Sequence, residues 1–417
     1  MVDCTPKLNQ MNRRVVITGI GIYSVLGENL EDVRASLFQG KSGIIYDQQR
    51  KDYGYQSALT GFLNQPKLKG KLDRRMRIGL PEQGAYAFIS TEQAITMAGL
   101  TEDYFNQNEV GILFGNDSSS KAVIESNDII RKSKDSTRMG SGAIFQAMNS
   151  TISMNLSVIY KLRGINFTIS GACASGSHSL GMAYFLIKNG MQNSIICGGA
   201  QEMNKYAMSS FDGLGAFSKR EAEPQKACRP FDRDRDGLIP SGGSATLILE
   251  DMESALKRGA TILGEIIGYG VSSDGSHISK PNVDGPSRAI KMALKDSGLQ
   301  TSEIDYINAH ATSTPIGDAN EAKALYSIFG EKTPISSTKS MTGHEMWMGG
   351  ASEAVYSLLM MHHDFIAPNI NFENPDEFSA KINIVKQTRE AKIKTVLSNS
   401  FGFGGTNSAL IIKKFKK

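Results

Sequence analysis

Ile165-Asn-Phe-Thr-Ile-Ser-Gly-Ala-Cys-Ala-Ser-Gly-Ser177 is a β-branched run that ends on small residues and passes into a helical pattern. Residues Ile165–Ser170 read as a buried strand and Ser177–Lys188 as the helix that follows. A second stretch repeats the plan: Pro334-Ile-Ser-Ser-Thr338 leads through Met341-Thr-Gly-His344 into a small-residue helix. Two further pairs keep the same order. Glu109-Val-Gly-Ile-Leu-Phe-Gly115 rhymes with Ile304-Asp-Tyr-Ile-Asn-Ala-His310, and Ser194-Ile-Ile-Cys-Gly-Gly199 with Thr395-Val-Leu-Ser-Asn-Ser400. Three pairs in one order read as an internal duplication with its seam near residues 250–265.

Outward from these pairs, short β-branched runs recur at Arg14–Thr18, Ala245–Leu249, Ile262–Tyr269 and Ser408–Ile412. Helical patterns occupy Leu30–Gln39, Glu82–Ala98, Pro286–Ser297, Ala319–Phe329 and Gly350–His362. The alternation predicts an α/β fold with a substantially parallel sheet. In such folds ligands gather at strand C-termini, so the loops after the paired strands are expected to converge between the halves. The chain divides into an N-terminal arm (1–12), a first half (13–260) and a second half (261–417).

The 417 residues are 40% hydrophobic and 21% charged, which fits a globular chain with a large core. No apolar run approaches the roughly 18–20 residues of a membrane span. The net charge of +4 is too mild to imply nucleic acid. The four cysteines, Cys4, Cys173, Cys197 and Cys228, have no paired spacing; neither a disulfide framework nor a zinc site is expected, and a reducing cytoplasm fits.

Cys173 sits between a strand end and a helix start. The positive end of the helix dipole favours thiolate there, and the small neighbours leave room for a substrate. A free cysteine so placed is either a nucleophile or a small buried apolar residue. His310 and His344 occupy corresponding strand-to-loop positions in the second half. Each is a core histidine or a hydrogen-bond donor, base or acid beside a reacting group. His178 reads as packing, His362 and His363 as surface residues, and His277 as an uninformative loop residue. Ser398–Asn407 holds three glycines in four positions, a pattern that suits either a tight turn or a backbone that points N–H groups at a ligand. Gly19-Ile-Gly21 imitates a dinucleotide fingerprint but lacks its third glycine and its acid. Phe231-Asp-Arg-Asp-Arg-Asp-Gly237 imitates a calcium loop but has Gly242 where the closing glutamate belongs, and reads as a salt-bridged loop.

Four motifs in order, Gly171-Ala-Cys-Ala-Ser-Gly176, Asn308-Ala-His-Ala-Thr-Ser-Thr-Pro-Ile-Gly-Asp318, Ser337-Thr-Lys-Ser-Met-Thr-Gly-His344 and Ser398-Asn-Ser-Phe-Gly-Phe-Gly-Gly-Thr-Asn407, resemble the elongating β-ketoacyl-acyl carrier protein synthases. The likeness runs from about Arg13 to the C-terminus. Tyr356-Ser-Leu-Leu-Met-Met361 and Phe365-Ile-Ala-Pro-Asn-Ile-Asn371 look closer to type I than to type II. The resemblance implies a thiolase fold, a duplicated five-layered αβαβα architecture, usually a homodimer and in some relatives a heterodimer with a related subunit. It implies a decarboxylative Claisen condensation of malonyl-carrier with an acyl group held on Cys173, giving a 3-oxoacyl-carrier in fatty acid, aryl polyene or polyketide-like elongation. No cofactor beyond the carrier's phosphopantetheine arm is then expected. By motif, Cys173 is the nucleophile, His310 and His344 the histidine pair, and Lys339 the accompanying lysine. Thr312 and Thr314 match the threonines on the pantetheine arm. Phe403 matches the gate whose N–H completes an oxyanion hole with that of Cys173. Asn308, Glu353, Ser398 and Asn399 match positions that hold a monovalent cation in some members. Arg74, Arg75 and Arg77 fall where the acidic carrier docks; Arg131, Lys132, Lys134 and Arg138 form a second basic cluster.

Two departures bear on substrate. Ala311 replaces a usual glycine, where its methyl would crowd His310 or stiffen the loop. Glu345-Met-Trp-Met348 replaces a small-residue stretch, and Trp347, the one tryptophan, either fills space beside the site or meets another subunit. Other readings are a catalytically silent partner or carrier-binding scaffold, which would be expected to lack the nucleophile, and a thiolase, which would want a second cysteine near Ser398–Asn407. An initiating synthase would carry Cys-His-Asn. A thiol protease has no role for the second histidine.

Overall fold

The computed structural model describes residues 13–416, so the expected arm at 1–12 lies outside the described residues. Five strands build the first half of the sheet: β1 (Val15–Ser24), β2 (Gly111–Gly115), β3 (Asn166–Ile169), β4 (Ser194–Gln201) and β5 (Gly243–Asp251). Six follow: β6 (Gly264–Ser273), β7 (Tyr306–Asn308), β8 (Pro334–Ser336), β9 (Asn383–Ile384), β10 (Thr395–Gly402) and β11 (Thr406–Lys414). In space they run β9-β8-β7-β10-β11-β6-β1-β5-β4-β2-β3.

Apart from the extra edge strand β9, this order is a palindrome about the β6–β1 contact. Outward from β1 come two antiparallel pairings (β5, β4) and then two parallel ones (β2, β3). Outward from β6 come the same two antiparallel pairings (β11, β10) and two parallel ones (β7, β8). The three sequence pairs therefore map onto β2/β7, β3/β8 and β4/β10. The halves join where Val15–Ile17 pair with Gly264–Ile266. The sheet is substantially parallel towards both ends, as expected, but each half also carries an antiparallel trio, because β5 and β11 return as long strands rather than through a crossover helix.

Helices complete five layers. One outer layer is α1 (Glu82–Ala98) on β1, β4 and β5; the other is α3 (Asp284–Ser297) on β6 and β11, with α4 (Pro315–Phe329) beside it. Between the sheets lie α2 (Ser175–Lys188) and α5 (Gly349–His362), packed on each other. Composition follows the layer. α3 buries one stripe, including Ala289, Ile290, Ala293 and Leu294, and keeps a polar face outside. α5 is buried at every position from Gly349 to Met361, as a helix covered on all sides must be.

The Gly19–Gly21 stretch is the interior of β1, not a phosphate loop. A Cβ at Gly21 would lie 1.9 Å from the Ser90 carbonyl oxygen of α1. Its duplicate, Gly270 of β6, would meet the Ala289 carbonyl oxygen of α3 at 2.0 Å. Both glycines let an outer helix lie directly on a sheet. The Phe231–Gly237 stretch is a salt-bridged loop, with Arg229 on Asp232 at 3.0 Å and Arg235 on Asp376 at 2.7 Å. Because the outer helix backbone has no room to yield, Gly21→Val and Gly270→Val should each destabilise the fold by about 1–3 kcal/mol or more. Urea unfolding monitored by circular dichroism should show lowered midpoints for both.

Candidate active site

Cys173 lies in the single 3-10 turn Ala172–Ala174 that opens directly into α2. Ala172 adopts a left-handed backbone at φ 47°, and its N–H donates to Asp117 Oδ2 at 3.0 Å. Ser175 ties the turn by accepting from Gly171 N–H and donating to the Ala172 carbonyl. These contacts aim the thiol into a cavity of about 420 Å³ that also exposes His310, His344, Thr312, Thr314 and Phe403.

His310 follows β7. Its N–H and that of Ala311 donate to the two oxygens of Glu321, at 2.9 and 2.6 Å. Asp318, in the first turn of α4, receives Thr312, Ser313 and Thr314 N–H groups at 3.0, 3.1 and 3.2 Å. Two carboxylates of one helix thus hold the whole His310–Thr314 loop. The Thr312 and Thr314 hydroxyls are 3.2 Å apart on the cavity wall. Ala311 is buried and lines the cavity, so its methyl narrows the passage beside His310.

His344 is fixed from the backbone, donating its N–H to the Ile239 carbonyl at 2.7 Å and accepting from Ser241 N–H at 2.8 Å. The two imidazoles meet edge to face with ring centres 5.4 Å apart. Nδ1 of His310 and both ring nitrogens of His344 are buried with no hydrogen-bond partner. Burial, reinforced by the nearby Lys339 charge, pushes both histidines well below the usual histidine range. At neutral pH both are therefore uncharged, each with one N–H to offer.

Phe403 begins the turn of the β10–β11 hairpin, so the glycine-rich segment is a hairpin end, with Gly402 opposite Thr406. The Phe403 N–H and the Cys173 N–H both bear on the thiol. The Phe403 ring, 37% exposed, stacks on Phe211 at 5.3 Å over the cavity. The thiol itself is pushed up to about 11 by burial, with Phe403 N–H and Lys339 acting the other way. Burial thus opposes the thiolate-favouring effect expected of the helix end.

Lys339 is buried and pairs with Glu353. Burial raises Glu353 to about 8, and the neighbouring Glu321 and Glu345 to about 7. Glu353 Oε2 and Asn399 Oδ1 are buried without partners, while Asn399 Nδ2 donates to Glu321 and Asn308 Oδ1 accepts from Thr338. Ser398 of β10 pairs with Asn308 of β7 in the sheet. Two unpartnered hard oxygens suit a monovalent cation. Among the described residues no cluster of three or more His, Cys, Asp or Glu side chains suits a metal ion.

The remaining candidates lie apart. Arg74, Arg75 and Arg77 sit on the five-residue helix Arg74–Ile78; among the described residues none of them pairs with a carboxylate, and none lines the cavity. In the second cluster Arg131 and Arg138 pair with Asp128 and Asp135. His178 is packing, bonded to Tyr269 and Thr406 at 2.7 and 2.9 Å. His277, uninformative in sequence, lies on the cavity wall. Trp347 is buried in one apolar cluster with Cys173, beside the site. Sequence reasoning assigned nothing to Asp117, Glu321 or Glu345. The spacing of Asp318 and Glu321 after His310 could have shown two carboxylates, in the first and second turns of α4, facing a loop; Asp117 carries no local signal.

A cysteine at a helix N-terminus, two neutral histidines and converging backbone N–H groups, mounted on a duplicated αβαβα frame, define an acyl-transferring enzyme of the thiolase fold. The chain belongs to the β-ketoacyl synthase family: the family's N-terminal domain model matches residues 12–255 and its C-terminal domain model residues 263–373. It is 42% identical over 408 residues to 3-oxoacyl-[acyl-carrier-protein] synthase 1 of Escherichia coli K12, covering 97% of this chain and 100% of that one. A β-ketoacyl synthase from Burkholderia phymatum superposes with a TM-score of 0.91 at 35% identity, over 97% of this chain and 100% of the other. A type II polyketide synthase acyl-carrier protein in complex with its ketosynthase, bound to the hexaketide, gives 0.87 at 29% identity, with 97% and 100% covered. No described helix is long and apolar enough to cross a membrane.

The raised Cys173 thiol sets a pH dependence. Thiolate fraction should rise about tenfold per pH unit between 7 and 10, below a pKa of about 11. Iodoacetamide labelling of Cys173, followed by peptide mass spectrometry, should climb across that range without levelling near 8.5. A plateau by pH 9 would show that the helix end dominates burial.

Proposed function

We propose that the chain condenses a malonyl-acyl carrier protein with an acyl group held on Cys173, releasing carbon dioxide and giving a 3-oxoacyl-acyl carrier protein in fatty acyl chain elongation. The observation that carries this reading is the convergence of Cys173, His310 and His344 on one cavity. A silent scaffold would have no need of that convergence. The E. coli relative is named for this reaction, and the polyketide synthase structure pairs a ketosynthase with its carrier.

The steps follow from the groups present. The Cys173 thiol attacks the carrier-bound thioester; the pantetheine thiol leaves with the proton, and the acyl group stays on sulfur. The malonyl thioester then loses carbon dioxide, and its carbonyl becomes an enolate oxygen. Two neutral imidazoles stabilise that oxygen with N–H groups, and buried donors aimed at developing charge supply a large part of the rate. The enolate carbon attacks the acyl-cysteine carbonyl, whose oxyanion the Cys173 and Phe403 N–H groups receive. Collapse returns the cysteine. Lys339, through Glu353 and its charge, keeps the histidines unprotonated. The arm lies along the wall that carries Thr312 and Thr314, with Phe403 as its gate; no cofactor beyond it takes part. Glu353, Asn399, Asn308 and Ser398 hold a monovalent cation that balances the buried carboxyls.

The carrier docks on Arg74 and Arg75, which are exposed, and on half-buried Arg77; none of the three pairs with a carboxylate among the described residues. The frame is a tandem of halves, 13–260 and 261–417, supported by the palindromic strand order. Two copies assemble along β3, an edge strand with Phe167 exposed, flanked by exposed Ile144, Phe145 and Val158. The enzyme works in the cytoplasm, where its free cysteines stay reduced.

Cys173→Ala should abolish both self-acylation and condensation, read by intact-protein mass after incubation with acyl carrier; an adduct that persists removes Cys173 from the role. His344→Ala should keep self-acylation while carbon dioxide release drops by about 10²–10³; equal loss of both half-reactions points to a structural role. Reversing charge with Arg75→Glu and Arg77→Glu should raise KM for carrier-linked substrate, with an effect that shrinks in salt, and spare a short soluble thioester. Equal harm to both substrates places the cluster outside docking.

A further inference from the structure

We propose that Trp347 is a specificity-determining residue that closes the side of Cys173 away from the histidines and restricts the acyl group on the sulfur to short chains. The inference rests on the condensation reading. That reaction places two groups at Cys173 at once. The malonyl thioester must reach His310 and His344, so it and the arm behind it claim the open cavity between Thr312, Thr314 and Phe403. The acyl chain has to leave the sulfur in another direction.

Beside Cys173, outside the lining of that cavity, there is packed protein. The turn Met346–Met348 packs against the turn Ala172–Ala174, and Trp347, Met346, Phe217, Met208 and Tyr55 join Cys173 in one buried cluster. None of these five lines the cavity. The Trp347 indole N–H donates to Ser118 Oγ at 3.2 Å, in the loop that also supplies Asp117 to the Ala172 N–H. The segment is pinned at its other end by Glu345, which accepts from the Ser352 and Tyr356 hydroxyls. Met346 between these anchors takes a left-handed backbone at φ 46°, a conformation a non-glycine residue keeps only when its surroundings enforce it. The Trp347 carbonyl also rests against α2 and β4, where a Cβ at Gly176 or Gly199 would come within 2.9 or 2.7 Å of it. A wall held at so many points does not yield to added methylenes as a loose one would.

The test is loading of Cys173 from acetyl, butyryl, octanoyl and palmitoyl carriers, timed by intact-protein mass for wild type, Trp347→Ala, Trp347→Leu and Trp347→Phe. Wild type should load the short groups and lose about 10–200-fold per methylene once the limit is passed. Trp347→Ala and Trp347→Leu should raise the octanoyl-to-acetyl ratio at least about tenfold, and Trp347→Phe should return it towards wild type because bulk is restored. Trp347→Leu serves if the alanine variant does not fold. Wild type that loads palmitoyl as fast as acetyl overturns the inference, and so does an unchanged ratio in the leucine variant. Wild type that accepts no acyl group at all overturns the condensation reading instead, and the inference with it.

Discussion

The contact between the N-terminal ends of α2 and α5 is the constraint on which the rest depends. A Cβ at Gly350 would lie 2.4 Å from the Ser177 side chain, and one at Gly176 would lie 3.0 Å from the Ala351 N–H nitrogen. Two helices can meet this closely only where side chains are missing, and the duplication sets them there by bringing equivalent strand-helix turns to the centre of the molecule. Each turn carries its reactive residue just before its helix: Cys173 before α2, His344 before α5. Backbone proximity therefore becomes side-chain proximity without any long side chain reaching across. The price is composition: α2 opens with Ser175, Gly176 and Ser177, and α5 with Gly349, Gly350 and Ala351.

Burial does the electrical work at this centre. One buried lysine faces three buried glutamates, and burial raises all three carboxyls towards or above neutrality. The same lack of water lowers both histidines. An imidazolium there would add a second cation beside Lys339 in a medium that solvates neither, so the neutral tautomer is the stable one. Neutral imidazoles suit a reaction whose developing charge is negative and whose product is carbon dioxide, because they donate hydrogen bonds without trapping the enolate as an ion pair. Glu321 has a second use: it accepts the His310 and Ala311 N–H groups, so the residue that shapes the local charge also holds the backbone that carries the ring.

Much of this was legible in the sequence because it is local. Strand runs, the helix limits of Glu82–Ala98, and the position of Cys173 between a strand and a helix depend on residues a few places apart. The duplication was legible because its pairs keep their order. What escaped depends on partners far away. The direction of β5 and β11 is decided by which strands they lie beside, so the expectation of a substantially parallel sheet did not include the antiparallel trios. Asp117 gains its role only when the loop after β2 meets the turn at Ala172, 55 positions on. His277 looked like any loop residue until its loop folded over the cavity, where the Gly404 N–H reaches the Ile278 carbonyl at 2.7 Å. A helix end at Cys173 is visible in sequence, whereas the burial that opposes its thiolate-favouring effect is not.

Duplication also explains why the two halves can do different chemistry with one scaffold. Each half delivers a strand-to-helix turn to the same central point, so the frame fixes where a reactive atom will be and leaves its identity free. In the first half the turn is Gly-Ala-Cys-Ala and the atom is a nucleophilic sulfur. In the second it is Thr-Gly-His-Glu and the atom is a ring nitrogen, with Lys339 one turn upstream to set its charge state. The strand before each pair repeats the division: β2 is followed by Asp117, which braces the turn of Cys173, while β7 is followed by His310, which lines the cavity. Under the proposed reaction, symmetric backbone positions serve an asymmetric pair of tasks, holding an acyl group on one side and generating a carbanion on the other. Both must stay within reach of one arm, and that is why the halves cannot separate: their shared middle layer is also the floor of the site.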